Sequence, residues 1–277
     1  MAPTEDAIDY RKLYLDEKRK ARQRNRESIA KNNSPPSSPR DGRPTSKELP
    51  EWSGEFYTLK VPELNRLSDC VSSQNPGSIF YKESFLPFHF CNDLWQWLEK
   101  LPVAATTKNQ KHGHWHNLHH SKRKVAVFDG SFPRPIQLIT QALMEAGIFD
   151  ESAPPNHILI NHYTSSQGIM PHTDGPAYFS RTATLSLGDG QVLLHFEPRQ
   201  KGAFSQRQLL LHGRGSLVVF EGDAYSQCMH SIRETNEEYE TAEPTCCNVP
   251  AGTKAHRQER ISLTVRHRFD LGLMNGD

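Results

Sequence analysis

The second half of the chain alternates short apolar runs with glycine-containing turns. Turns are indicated at 188–190, 212–215 and 222–223, where glycine stands beside polar or charged residues. Many short strands with regular turns predict a β-sandwich or barrel, with the jelly roll as the leading candidate. The predicted strands cover residues 157–165, 182–188, 191–199, 207–213, 215–228 and 260–269.

The preceding part of the chain has helical spacing in two places. Leucine or isoleucine recurs three and four residues apart over 91–101 and 135–146, which predicts two helices, the first capped by Asn92. Apolar runs at 79–81 and 125–128 predict further strands. The sequence therefore predicts a mostly β domain with flanking helices, of the α+β class.

The N-terminal segment differs in composition from this domain. Residues 1–48 contain twelve Lys/Arg and eight Asp/Glu, and residues 31–52 are rich in proline and serine. Such a segment buries too little apolar surface to offset the entropy lost on ordering it. We predict a basic, largely disordered tail and linker over 1–77. The domain then covers 78–273, with a polar surface loop at 234–259 that we expect to be mobile.

Overall composition limits the classes of function. The chain has 277 residues, a net charge of +1 and five cysteines, which fits a reducing compartment better than a disulfide framework. No apolar run approaches the roughly 20 residues of a membrane span, and the N-terminus lacks the apolar core of a signal peptide. The basic cluster of Lys18–Lys20 with Arg22, Arg24 and Arg26 fits either a solvated helix or a patch for nuclear import or phosphate contact. We expect a monomer without membrane contact, located in the nucleus and cytoplasm.

A basic, histidine-rich segment covers residues 108–124. It reads KNQKHGHWHNLHHSKRK, with five histidines and five lysines or arginines. One interpretation is a flexible lid over a binding site, which would leave Trp115 available to stack on a nucleobase. A second interpretation is adventitious metal binding by the five histidines. A solvated loop between a helix and a strand would have a similar composition, so all three interpretations stay open.

A candidate metal site begins at the His-Thr-Asp triplet of residues 172–174. On an extended segment, residues i and i+2 point to the same side, so His172 and Asp174 can address one point in space. His230 lies on a later strand and could complete the set. Two histidines and one carboxylate form the facial triad of non-haem Fe(II) oxygenases. A polar turn and an unrelated histidine at a strand end are the alternative interpretation.

The last predicted strand carries a candidate anion site. Arg260, Ser262, Thr264 and Arg266 alternate with apolar residues and therefore share one face. Guanidinium groups pair bidentately with carboxylates, so two arginines inside a barrel could hold a dicarboxylate. A strand with one solvated face would show the same alternation.

Taken together, the order of these motifs resembles the AlkB family of Fe(II)/2-oxoglutarate dioxygenases. The order is Asn-x-Tyr at 161–163, His-x-Asp at 172–174, a distant His230, and Arg-x5-Arg at 260–266. The local sequence NHYTSSQGIMPHTDGPAYF, followed by TLSLG and FEPR, is similar to that of the sixth AlkB homologue branch. The resemblance covers roughly residues 78–273.

This resemblance implies a double-stranded β-helix, or jelly roll, and a set of site residues. Fe(II) would be bound by His172, Asp174 and His230. The co-substrate 2-oxoglutarate would be bound by Asn161, Tyr163, Arg260 and Arg266. Substrate contacts would come from Trp115, Arg123 and Tyr178.

The implied activity is oxidative demethylation of alkylated nucleobases in DNA or RNA, with dioxygen as the second co-substrate. Two alternatives stay open. The same chemistry could act on a protein, because the chain has no overall basic excess. A member of the fold that binds nucleic acid without turnover is the second alternative. A zinc site fits less well, since the arginines suit an oxo-acid bound beside iron.

Overall fold

The computed structural model describes residues 48–52, 59, 71–73, 78–104, 112–118, 123–202 and 205–269. Within these ranges the chain forms fourteen strands and three helices. None of the described helices is both long and apolar enough to cross a membrane. The helices are α1 (Phe88–Glu99), α2 (Arg134–Glu145) and α3 (Gly222–Ser226). The strands are β1 (Val71–Ser73), β2 (Ile79–Lys82), β3 (His116–Asn117), β4 (Lys124–Asp129), β5 (His157–Tyr163), β6 (Ile169–His172), β7 (Arg181–Gly188), β8 (Gln191–Pro198), β9 (Arg207–His212), β10 (Ser216–Glu221), β11 (Cys228–Ile232), β12 (Tyr239–Thr241), β13 (Lys254–His256) and β14 (Arg260–Arg266).

Two antiparallel sheets form the body of the domain. The larger sheet has the strand order β1-β2-β10-β7-β14-β5-β4-β3, and the smaller one has the order β6-β11-β8-β9. Their inner faces share an apolar cluster, and members of that cluster also line a cavity with polar residues. This arrangement is the double-stranded β-helix, and it confirms the predicted jelly roll.

Helices α1 and α2 pack on the outer face of the larger sheet. The apolar residues of β14, which alternate with its polar face, contribute to this second core. Helix α1 begins at Phe88 after the N-cap Pro87, so the predicted start at Cys91 with a cap at Asn92 is wrong. The earlier start buries Phe90 completely, and burial of an aromatic side chain outweighs the missing side-chain cap.

Trp115 belongs to this core rather than to a substrate surface. Its side chain is 3% exposed, and its Nε1 donates a hydrogen bond of 2.8 Å to the Leu98 carbonyl oxygen at the end of α1. The ring also lies 5.8 Å from that of His162. The prediction that Trp115 is free to stack on a base is therefore wrong. Residues 108–111 and 119–122 of the predicted lid lie outside the described residues.

The core also takes in part of the segment predicted as tail and linker. Trp52 is 9% exposed, and its ring packs edge-on against Phe90 and Trp97. Leu59 is buried in the same cluster. These positions lie upstream of the predicted domain start at Ser78, so the compact unit reaches further toward the N-terminus. Residues 1–47, which hold the basic cluster, lie outside the described residues.

Two predicted elements differ in the second half. Residues 222–226, predicted as part of a strand, form helix α3, because Gly222 has a φ of +52° and turns the chain out of β10. The segment 234–259, predicted as a surface loop, contains the antiparallel pair β12 and β13. Its small residues Ala242 and Ala255 are buried against the smaller sheet, which polar composition alone does not reveal.

Candidate active site

His172 and His230 face each other across two paired strands. They are register partners on β6 and β11, with ring centroids 4.2 Å apart. The Nδ1 atom of His172 donates to the Met170 carbonyl oxygen at 2.9 Å, which leaves Nε2 available to a ligand. Pairing resumes at Ile169 and Ile232, so β6 holds one extra residue. This bulge places Met170 outward, where its side chain is 82% exposed.

Asp174 completes a compact group of three possible ligands. Ligand atoms of His172, Asp174 and His230 all lie within 4.8 Å of one another. His230 Nε2 is 4.0 Å from Asp174 Oδ1. In the part of the chain that the structure describes, this is the one such group of three. Two imidazoles and one carboxylate, with space beside them, are a donor set suited to Fe(II).

The Asp174 carboxylate is held in place by two neighbours. Thr182 donates to Oδ2 at 2.6 Å, and Arg266 donates to Oδ1 at 2.9 Å. Burial would raise the pKa of Asp174, but the charge of Arg266, together with the two triad histidines and Thr182, outweighs burial and lowers it. The carboxylate is therefore ionised, as a metal ligand must be.

The His230 imidazole is poised in its neutral form. Burial lowers its pKa to about 4, and the positive charge of Arg266 acts in the same direction, while Asp174 opposes both. The 4.0 Å approach to Asp174 is thus a contact of a neutral ring with a carboxylate, rather than an ion pair. A neutral imidazole offers a lone pair to a metal without first losing a proton.

Arg260 is a buried cation that lacks an anionic partner among the described residues. Its side chain donates from Nη1 to Ser186 Oγ at 3.0 Å and lies 5.0 Å from the Tyr163 ring centroid. Arg260 is 2% exposed, and its Nε has no hydrogen-bond partner. Burial lowers its pKa to about 10. A buried charge is costly unless paired, so this position favours a bound carboxylate.

Arg260 and the triad border one cavity between the two sheets. The cavity has a volume of about 70 Å³. Asn161 and Tyr163 on β5 line it, and the Asn161 Oδ1 atom is buried without a partner. Its polar lining on β14 is Arg260, Ser262, Thr264 and Arg266, the face predicted from alternation. These residues fit an acid with a carboxylate at each end.

Ser186 on β7 supports the site through a contact that the sequence did not reveal. Thr182, Thr184 and Ser186 alternate with apolar residues on β7, a pattern that could have revealed a second polar face toward the cavity. The Ser186 hydroxyl accepts from Arg260, and Thr182 supports Asp174. Each thus positions a charged group rather than contributing charge itself.

We expect Ser186→Ala to raise the KM for 2-oxoglutarate roughly tenfold, because losing one hydrogen bond to a charged group costs about 1.5 kcal/mol or more. Steady-state succinate formation measures this change. Ser216→Ala is the matched control, since this buried serine hydroxyl bonds to the His212 carbonyl outside the cavity. An unchanged KM in Ser186→Ala would show that Arg260 needs no support from β7.

A wider outer cleft opens beside the triad. It has a volume of about 950 Å³ and is bordered by Arg123, Tyr178 and Arg233 as well as by His172 and Asp174. Arg123 and Tyr178 were predicted as substrate residues, and both border this cleft. The Tyr178 ring lies under the Arg266 guanidinium, with 4.2 Å between that group and the ring centroid.

The Tyr178 hydroxyl is tied to a chain of polar side chains that the sequence did not reveal. It bonds at 3.3 Å to Nε2 of His157, whose Nδ1 donates to Asp129 at 2.7 Å. Arg268 donates to the other oxygen of Asp129. These residues come from distant segments, so no local motif signals their meeting. The chain fixes the Tyr178 ring at the edge of the cleft.

Comparisons with known proteins agree with this geometry. The sequence model of the 2OG-Fe(II) oxygenase superfamily matches residues 79–266. The zebrafish (Danio rerio) protein named Probable RNA/DNA demethylase ALKBH6 is 26% identical over 214 residues, which cover 73% of this chain and 90% of that protein. Uncharacterized protein L905 of Acanthamoeba polyphaga mimivirus is 28% identical over 132 residues, or 47% of this chain and 55% of that protein.

Among solved structures, a prolyl-4-hydroxylase from Pseudomonas putida aligns with a TM-score of 0.44 at 15% identity, covering 69% of this chain and 93% of that one. The superfamily match and the zebrafish relative confirm the resemblance drawn from the order of motifs. They also confirm Fe(II) and 2-oxoglutarate as the cofactor and co-substrate. The superfamily match spans well over half of the length of this chain. The chain therefore belongs to the 2OG-Fe(II) oxygenase superfamily, as an AlkB-family dioxygenase.

Proposed function

We propose that this dioxygenase removes methyl groups oxidatively from alkylated nucleobases in DNA or RNA. The observation that carries the proposal is the outer cleft, where the aromatic ring of Tyr178 and the cations Arg123 and Arg233 border the triad. Aromatic rings stack on bases, and arginines contact phosphates. The printed name of the zebrafish relative, a probable RNA/DNA demethylase, supports the same substrate class.

In this proposal the triad of His172, Asp174 and His230 binds the metal. His172 and His230 provide imidazole nitrogens, and Asp174 provides one carboxylate oxygen. When bound, Fe(II) and 2-oxoglutarate supply the oxidising chemistry, in which dioxygen is consumed, the acid becomes succinate and carbon dioxide, and an N-methyl group becomes a hydroxymethyl that leaves as formaldehyde. Arg266 and Thr182 keep the Asp174 carboxylate ionised and fixed in direction.

The cavity residues have the role of the co-substrate site. Arg260 pairs with the distal carboxylate, which supplies an anion to a buried guanidinium that has none among the described residues. Asn161 and Tyr163 hold the acid from β5 through the amide nitrogen and the phenol. Arg266 has a double role, since it supports Asp174 and also lines the cavity. Both arginines act through charge and position, without taking a proton.

Tyr178 presents the surface that recognises the base. Its ring is half-buried, with Arg266 over it and its hydroxyl tied to His157. A ring fixed in this way loses little entropy when a base stacks on it. Arg123, at the same cleft, contributes a cation that a phosphate can approach.

We expect Tyr178→Ala to lower kcat/KM for a methylated oligonucleotide by roughly 5- to 150-fold, since stacking contributes about 1–3 kcal/mol per base. Tyr178→Phe keeps the ring and should retain most of this activity. Formaldehyde release from a panel of methylated DNA and RNA oligonucleotides measures both variants. Phe88→Ala, an exposed aromatic on α1, is the control.

The outcomes of that panel separate the candidate substrates. Release of formaldehyde with one class of oligonucleotide supports the proposal and names the base. Turnover with methylated peptides and with no oligonucleotide would replace it by protein demethylation. The monomeric state and the location in the nucleus and cytoplasm stay predictions.

A further inference from the structure

Arg257 lies immediately after β13 and makes contacts that the predicted surface loop did not suggest. It is 3% exposed, although it belongs to a polar segment. Its Nε donates to the Ser165 carbonyl oxygen at 3.1 Å. Its Nη2 donates to the carbonyl oxygens of Gln167 at 2.8 Å and Arg233 at 3.4 Å. One guanidinium thus binds two separate stretches of backbone.

Those two stretches lead into the strands of the triad. Ser165 and Gln167 immediately precede β6, which carries His172, and Arg233 follows β11, which carries His230. The two strands pair here through a bulge, so regular backbone pairing alone holds them less firmly. Arg257 therefore bridges the β6–β11 pair at the end where its ladder is irregular.

The same end shows an unusually close backbone approach. A Cβ atom at Gly168 would lie 2.2 Å from the Ile232 carbonyl oxygen, so a side chain at this position would push the strands apart. The Thr235 amide donates to the Ser166 carbonyl oxygen at 3.1 Å. Because the two backbone segments approach closely at Gly168, the carbonyl groups of Gln167 and Arg233 lie within reach of a single guanidinium. Arg257 provides that guanidinium.

A buried carboxylate balances the charge of Arg257. Glu240 Oε2, on β12, lies 3.5 Å from Arg257 Nη1, and Glu240 Oε1 lies 3.5 Å from His195 Nε2 on β8. The side chains are 1%, 11% and 1% exposed for Arg257, Glu240 and His195. Neither Glu240 oxygen has a hydrogen-bond partner. The β12–β13 pair thus places the Arg257 guanidinium, whose charge is balanced by Glu240, against the backbone segments that lead to the triad.

From these contacts we infer that Arg257 is a positioning residue for the metal site, holding β6 and β11 at the separation that places His172 and His230 on one ion. The inference rests on the proposed role of these histidines as iron ligands. Residues that orient metal ligands typically change metal affinity by about 10- to 100-fold when they are removed. The effect should therefore appear in metal binding itself, before any turnover.

The test is a Co(II) titration of the full chain, followed by calorimetry and by the visible absorption of bound Co(II). We expect Arg257→Ala to weaken Co(II) binding by about 10- to 100-fold. Arg257→Lys keeps a charge beside Glu240 but lacks the planar fork, so we expect a similar loss. Added methylguanidine should restore part of the affinity in Arg257→Ala and none in the lysine variant.

Arg214→Ala is the matched control, because this arginine is 66% exposed and pairs with Asp189. Thermal melts of each variant, without metal, report the cost to folding separately. Wild-type Co(II) affinity in a folded Arg257→Ala or Arg257→Lys protein would overturn the inference, since it requires weaker binding in both. If His172→Ala bound Co(II) as tightly as the wild type, the triad assignment would fail first and the role of Arg257 with it.

Discussion

Arg260→Ala should raise the 2-oxoglutarate concentration needed for half-maximal turnover by roughly two to three orders of magnitude. Breaking a buried charge pair costs about 3–5 kcal/mol, and each 1.4 kcal/mol is a factor of ten. Arg260 is buried, and its cation has no carboxylate partner among the described residues, so the co-substrate would supply that partner. Succinate formation across a 2-oxoglutarate titration measures the change.

The thermal stability of the unliganded protein should not fall together with the affinity for 2-oxoglutarate. Without co-substrate, Arg260→Ala removes an uncompensated buried charge, so the unliganded variant should melt no earlier than the wild type. In the wild type, 2-oxoglutarate should raise the melting temperature more than in the variant. Arg214→Ala, at an exposed ion pair, should change neither quantity. A wild-type co-substrate requirement in Arg260→Ala would refute the pairing.

Loss of a triad histidine should have the largest effect of all. We expect His230→Ala to reduce succinate formation by at least about a thousandfold, because two remaining ligands hold the metal weakly and leave its position undefined. Co(II) titration should show the parallel loss of binding. His230 contacts both other members of the triad, so its removal also opens the space between them.

His256→Ala is the control for this variant. The His256 side chain, at 37% exposed, is more exposed than that of His230, and it forms a hydrogen bond with Glu238. Its loss should leave Co(II) affinity within about twofold of the wild type. Retained metal binding in His230→Ala, with the variant folded, would mean that the metal site lies elsewhere.

The parts of the site that follow from alternating polar and apolar residues could be predicted from the sequence. Along β14, polar and apolar residues alternate, and the structure places Arg260 and Arg266 on the cavity face and Ile261 on the outer core. The triplet at 172–174 likewise brought His172 and Asp174 together. On β14 the geometry of an extended strand converts spacing directly into direction, whereas Asp174 lies just past the end of β6.

The remaining parts depended on partners that sequence does not identify. Trp115 stands in a basic, histidine-rich stretch, yet a long-range fit against α1 buries it. Arg257 lies in a segment of mostly polar residues, and only the close approach at Gly168 explains why its guanidinium points inward. Local composition describes such residues as solvated, because the contacts that bury them come from distant segments.

We expect the position of β14 to limit the size of the acid that the cavity can bind. This strand lies between β5 and β7 in the middle of the larger sheet, with hydrogen-bonded neighbours on both sides. Arg260 and Arg266 are six residues apart on it, or about 20 Å between their Cα atoms at the usual strand rise. Neither end of the cavity can shift without disturbing the sheet. Under the proposed pairing of Arg260 with the distal carboxylate, we expect the backbone to govern selectivity for chain length among oxo-acids, because neighbouring strands on both sides fix Arg260 in the sheet.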